Sequence, residues 1–188
     1  PITPVTRREL HDFGLVLYGG APASVLPPVT HGELTEFIVR DLKEFWRPLL
    51  DRPELWLRDI WVDAGLLTLA RAAVTLRDGR LVTKRQALAV LGEMRAPAQV
   101  VDDIERRRYS SPAQAAQAAQ ADETDETDGP AWADKTARAD ETDEPAQTDE
   151  ADGRWLALRA NLTIAFLTSE IDAIIARCSA APAPDSRP

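Results

Sequence analysis

Residues 30–49 run Thr-His-Gly-Glu-Leu-Thr-Glu-Phe-Ile-Val-Arg-Asp-Leu-Lys-Glu-Phe-Trp-Arg-Pro-Leu. Thr30 and Glu33 have the spacing of a capping box, in which each side chain satisfies a backbone N–H at the start of a helix. Leu34, Phe37, Ile38, Leu42, Phe45, Trp46 and Leu49 then recur at three- and four-residue intervals, the period of a helix with one apolar face. Pro48 ends or bends this helix, because it lacks an N–H and its ring crowds the preceding turn. The same grammar continues downstream. Asp51 is expected to cap a helix that has Pro53 in its first turn and runs to about Leu76, with Gly79 as a left-handed stop. Thr83 caps a third helix from Lys84 to about Met94, and Pro97 opens a fourth that ends near Tyr109. Residues 154–178 carry Trp155, Leu158, Leu162, Phe166, Ile171, Ile174 and Ile175, a long amphipathic helix.

Upstream, residues 6–13 suit a short helix, and Gly14-Leu-Val-Leu-Tyr18 before Gly19-Gly20 reads as a strand entering a turn. No second strand is evident anywhere in the sequence. A lone strand leaves its backbone groups unpaired, so this one is expected to belong to a sheet formed by a preceding part of a longer product. The fold class is therefore mainly α: a bundle of about five helices with one leftover N-terminal strand and a disordered acidic insertion.

The insertion is residues 110–153, rich in Ala, Gln, Asp, Glu, Thr and Pro, and residues 179–188 form a disordered tail. Ala-Asp-Glu-Thr-Asp-Glu occurs at 121 and again at 139, a duplication without an apolar face. From 121 to 153, thirteen Asp or Glu stand against Lys135 and Arg138, whereas the whole 188-residue chain has a formal net charge of −9. The foldable remainder is thus slightly basic, and its size suits one compact domain. Such a balance excludes a strongly basic nucleic-acid footprint, and no apolar run of about 18 residues is present for a membrane span. Cys178 has no second cysteine to bridge with, and His11 and His31 are too few to complete a Cys/His metal site with it. Without a signal segment at its start, the chain is expected to be cytoplasmic.

Three groups of residues invite chemistry. On a helix through residues 51–76, Trp56, Asp59 and Asp63 share one face with Leu67, Ala70 and Val74. Carboxylates on such a stripe either line a cleft that receives a cation or are neutralised by Arg71 or another basic side chain. Lys84 stands at a helix start, where an ammonium and backbone N–H groups together suit a phosphate, although a solvated lysine is the commoner use of such a position. Arg106, Arg107 and Arg108 complement the carboxyl end of their helix. Asp102 and Asp103 are adjacent and diverge on a helix, which rules them out as a metal clamp. No serine or cysteine nucleophile with an activating histidine, and no dinucleotide fingerprint, occurs in the sequence.

The block Asp63-Ala-Gly-Leu-Leu-Thr-Leu-Ala-Arg71, followed by Thr75-Leu-Arg-Asp-Gly79-Arg-Leu-Val-Thr-Lys84 and Arg107-Arg-Tyr109, resembles the helical C-terminal domain of aminoglycoside adenylyltransferases of the streptomycin/spectinomycin type. Leu15-Val-Leu-Tyr-Gly19 and residues 21–28 resemble that family's join between its nucleotidyltransferase and helical domains. The resemblance implies residues 1–20 as the end of a truncated nucleotidyltransferase domain and 21–109 with 154–178 as the helical substrate-binding domain. It further implies ATP and Mg2+ as cofactors held mainly by the missing domain, Lys84 and Tyr109 as nucleotide-binding, and no catalytic residue or metal ligand in this chain. Trp56, Asp59 and Asp63 are then the substrate-binding residues for an aminoglycoside-like small molecule, because carboxylates pair with ammonium groups and an indole face accepts sugar C–H bonds or cations. The register departs from the family here, with Trp61 between the two aspartates and no histidine. The expected unit is a monomer with neither a nucleic-acid nor a membrane partner. The rival reading is a non-catalytic helical interaction module whose acidic tether binds basic partners through charge.

Overall fold

A computed structural model describes residues 2–110 and 150–180. These residues are mainly helical, as the apolar periodicity implies. Residues 111–149 of the acidic insertion, with its duplicated hexapeptide, and the tail beyond residue 180 lie outside the described residues.

The elements are α1 (Pro4–Phe13), α2 (Pro22–Val25), α3 (His31–Asp41), α4 (Arg47–Leu49), α5 (Asp59–Asp78), α6 (Lys84–Glu93), α7 (Ala98–Tyr109) and α8 (Glu150–Ala180). Both capping boxes form. The Thr30 hydroxyl accepts from the Glu33 N–H while Glu33 accepts from the Thr30 N–H, and Thr83 and Gln86 repeat the exchange at the start of α6. Between α3 and α4 the chain makes a π-helical turn, Leu42–Trp46. Pro48 lies just beyond it. A locally wider helix relieves the clash between the proline ring and the turn before it, so the helix continues a few residues before stopping.

Three expectations need correction. The helix expected from Asp51 begins only at Asp59; residues before it form turns and a single 3₁₀ turn, Leu55–Leu57, because Arg58 is extended (φ −91°, ψ 136°). Trp56 is therefore not on the helix face that carries Asp59 and Asp63. Residues 14–18 form no strand, and no strand occurs among the described residues; Leu15, Leu17 and Tyr18 stand 90, 97 and 100% exposed. A segment without a neighbouring strand has no ladder partner for its backbone groups, and this one lies open. Finally, α8 starts at Glu150 rather than 154 and includes Ser179 and Ala180. Glu150 and Asp152 complement the positive end of the helix dipole, and Arg154 pairs with Glu150 one turn away, which extends the helix into sequence of acidic composition.

The 31 residues of α8 span about 46 Å. This helix packs along α5 and the Leu55–Leu57 turn, while α6 folds back on α5 through a five-residue loop entered at Gly79. Gly79 has φ +70°, a conformation that costs a side-chain-bearing residue about 1 kcal/mol. The core runs between these helices through Trp46, Trp56, Leu66, Leu69, Leu91, Ile104, Leu167 and Ile171, all nearly or fully enclosed. Gly65 is placed by this packing: a Cβ there would stand 2.7 Å from the Trp56 ring. Arg7 to Glu33 at 3.0 Å fastens α1 to α3, and Arg47 to Asp172 at 2.9 Å fastens α4 to α8.

Candidate functional site

The candidate site is where the first turns of α5 meet the last turn of α7 and the flank of α8. Asp59 opens α5 and Asp63 follows one turn later, so their carboxylates lie on one side of the helix. Arg106, Arg107 and Arg108 end α7, and Arg159 comes from α8. Asp63 is claimed on both oxygens: Arg107 Nη2 donates to Oδ1 at 2.9 Å and Arg108 Nε to Oδ2 at 3.0 Å. Arg107 Nε also donates to Asp103 Oδ2 at 3.1 Å, and its Nη1 lies 3.5 Å from Asp59 Oδ2. Arg159 Nη1 donates to Asp59 and, at 3.1 Å, to Asp103, while Nη2 reaches the Leu57 carbonyl at 2.9 Å.

With Arg106 Nη1 donating to Asp103 Oδ1 at 3.3 Å, four arginines meet three aspartates. Arg159 is 1% exposed and its Nε finds no acceptor among the described residues, so a full positive charge is held inside the bundle by Asp103 and Asp59. Burial works to lower the Arg107 pKa, but Asp63 first, then Asp59 and Asp103, overcome it and hold the guanidinium above its ordinary value. The aspartates are neutralised by arginines of the same domain. Arg71, one of the neutralising groups considered from the sequence, is elsewhere: it donates to Glu9 and to the Val82 carbonyl, both at 2.9 Å. Arg107 and Arg108 do more than complement a helix end, since they clamp α7 to α5.

The structure separates the residues expected to bind substrate. Trp56 is 0% exposed and its indole N–H donates to the Leu49 carbonyl at 3.0 Å, so its ring is a core element with no face open to a sugar. Asp63 is nearly enclosed in its double ion pair. The Asp59 side chain remains 52% exposed and keeps an open edge beside Arg107. On the nucleotide side, Lys84 is the first residue of α6 and Tyr109 the last of α7, and both are half-buried. The residue after Lys84 reaches the tyrosine: the Arg85 guanidinium lies 5.6 Å from the centre of the Tyr109 ring. Asp102 and Asp103 diverge, one exposed and one buried.

Arg159 was not singled out by the sequence reading. The signal was available in the pattern, because stepping back by four from Ile171 and Leu167 reaches Thr163 and Arg159, and this row, not the one through Leu158, is the enclosed face of α8. Among the described residues no group of three His, Cys, Asp or Glu is arranged to hold a metal ion, and no helix is long and apolar enough to cross a membrane. Comparison with family models, curated proteins and solved structures finds no match to the chain.

Proposed function

We propose that the chain is the substrate-side helical domain of an ATP-dependent nucleotidyltransferase, of the aminoglycoside adenylyltransferase type, that transfers AMP to a hydroxyl of an aminoglycoside in the cytoplasm and so confers resistance. The observation that carries this reading is the meeting of both proposed subsites at the last turn of α7. Arg85, next to Lys84, lies over the ring of Tyr109, while Arg107 and Arg108 in the same turn grip Asp63. The exposed apolar run Leu15 to Tyr18 supports it further, since an apolar run left open on this domain suits burial against a neighbouring one.

In this reading Lys84 and Arg85 bring positive charge to the triphosphate, and Tyr109 offers a ring beside them. The α6 capping box has already used the Thr83 and Gln86 N–H groups, so the contribution rests on side-chain charge. Asp59 meets an ammonium group of the drug with its open edge. Asp63 is a positioning residue, holding the α7 turn and through it Tyr109. The drug hydroxyl oxygen forms its bond to the α-phosphorus as the bond to pyrophosphate breaks, and the hydroxyl proton passes to a carboxylate of the nucleotidyltransferase domain. Magnesium, if held by that domain, would neutralise charge on the phosphates.

The test is transfer of label from α-labelled ATP to streptomycin or spectinomycin by the gene product that joins this chain to a nucleotidyltransferase domain. Lys84→Ala should lower kcat/KM for ATP, and Asp59→Ala that for the drug, each by roughly 10- to 150-fold, the worth of one charge-assisted contact. The chain by itself should transfer nothing. Absence of drug-dependent labelling by the joined protein, or equal losses on both substrates in both variants, overturns the reading.

A further inference from the structure

Along the second half of α5, between about 8 and 18 Å along the helix from Asp63, lies a cleft with an interior of about 100 Å³. Val5 of α1, Phe37 of α3, Leu42 and Leu81 form apolar walls, and Asp41 and Arg71 bring charge to it. The two charges differ in what surrounds them. Arg71 is committed to the buried carboxylate of Glu9 and to the Val82 carbonyl. Asp41 accepts one hydrogen bond, from Trp46 Nε1 to Oδ2 at 3.1 Å, and no basic side chain among the described residues forms an ion pair with it. The nearby Arg40 guanidinium is instead 5.8 Å above the Phe37 ring. The π-helical turn after Asp41 brings Trp46, five residues on, back to its carboxylate, and the other oxygen has no donor among the described residues.

With Arg71 neutralised by Glu9, Asp41 is the charge on the wall that no ion pair among the described residues balances. Burial raises the Asp41 pKa, against the Trp46 hydrogen bond and the charge of Arg40, which is the response of a carboxylate short of partners. We propose that this cleft is a binding site for a small primary ammonium with an apolar body, the ammonium donating to Asp41 and the hydrocarbon filling the space between Val5, Phe37, Leu42 and Leu81. A cavity of roughly 150 Å³ accepts benzene, so this one has room for a chain of about four carbons and none for an aminoglycoside. The inference stands apart from the adenylyltransferase reading, because it uses neither Asp59 nor the α7 turn.

The experiment is titration of the full chain, labelled with nitrogen-15, with n-butylamine, n-butanol and butyrate, followed by amide chemical shifts. Butylamine should give saturable millimolar binding centred on Phe37, Leu42 and Ala72, at least about tenfold tighter than butanol or butyrate. Asp41→Asn keeps an acceptor for Trp46 and should reduce butylamine to the affinity of butanol. Thr68→Leu, which fills part of the cleft, should weaken both ligands. Butanol binding as tightly as butylamine, an Asp41→Asn variant with unchanged butylamine affinity, or no saturable shift with the wild-type chain overturns the proposal. Should Asp41→Asn fail to fold, the comparison of amine with alcohol on the wild-type chain decides alone.

Discussion

The two ends of α5 handle buried charge in opposite ways. At its start, Asp59 and Asp63 lie among Arg107, Arg108 and Arg159, with Asp103 completing the lattice, and Asp63 has a donor on each oxygen. Toward its end Arg71 pairs with Glu9, but Asp41 of α3 faces an apolar cleft with a single indole donor. Both arrangements place carboxylates beside the same helix, yet the first joins three helices and the second joins a helix to its own next turn. Charge that links distant elements contributes to the domain's cohesion, whereas charge with spare hydrogen-bonding capacity is available to something that comes from outside.

The largest expected effect comes from breaking the saturated end. Arg159→Ala removes the guanidinium that Asp103 and the Leu57 carbonyl depend on, and Asp103 is only 5% exposed. Removing one partner of a buried pair outright costs about 3–5 kcal/mol, and because Arg106 and Arg107 still reach Asp103 the loss should fall at the lower end of that range. That is a large share of the stability of a domain this size. Urea unfolding followed by tryptophan fluorescence should show the midpoint falling sharply with little change in slope. A loss below about 1 kcal/mol would mean that the cluster is hydrated and screened, and the contrast between the two ends would then disappear.

What was legible in the sequence follows the range of each interaction. The caps at Thr30 and Thr83 and the stop at Gly79 depend on residues within four positions, and all three appear as the sequence implies. The start of α5 was misplaced because Asp51 and Pro53 carry sound local signals, while the chain there is ruled by Trp56, whose indole is drawn into the core against Gly65 and the Leu49 carbonyl. The partners of Asp59 and Asp103 were illegible for the same reason: Arg159 lies 100 and 56 residues away in sequence. Periodicity marks which residues face inward, but it does not say which inward charges meet. The expectation of a strand at 14–18 rested on composition alone, and a strand requires a neighbour that composition does not supply.

A smaller effect is expected at the unsaturated end, and its sign is opposite. The folded-state pKa of Asp41 is raised above its ordinary 3.8, first by burial. A raised carboxyl contributes stability while protonated, and that contribution is lost as pH climbs from 3.8 through the folded-state value. Asp41→Asn imitates the neutral form and keeps an acceptor for Trp46. The variant should therefore match the wild type near pH 4 and exceed it near pH 7, by an amount within about 1 kcal/mol. Urea midpoints for both proteins at the two pH values check this. A variant less stable at neutral pH would show that the ionised carboxylate has a partner in solution and that the cleft is not short of positive charge.

The smallest effect isolates burial from every other variable. Arg154 pairs with Glu150 on α8, five residues before Arg159 on the same helix, and again joins a guanidinium to a carboxylate. The side chains of Arg154 and Glu150 are 76% and 83% exposed, against 2% for that of Arg159. Water solvates both members of the outer pair whether or not they touch, and the Coulomb attraction between them is weak in a high dielectric. Arg154→Ala should accordingly cost about 0.3–0.5 kcal/mol, and added salt should reduce that further. Measured under the same conditions as Arg159→Ala, it compares one guanidinium in two surroundings on a single helix. If the two costs came out alike, the difference between the ends of α5 could not be assigned to desolvation. The start of α8 would then hold the domain together as firmly as its interior, through docking of the first turn rather than through a solvated pair.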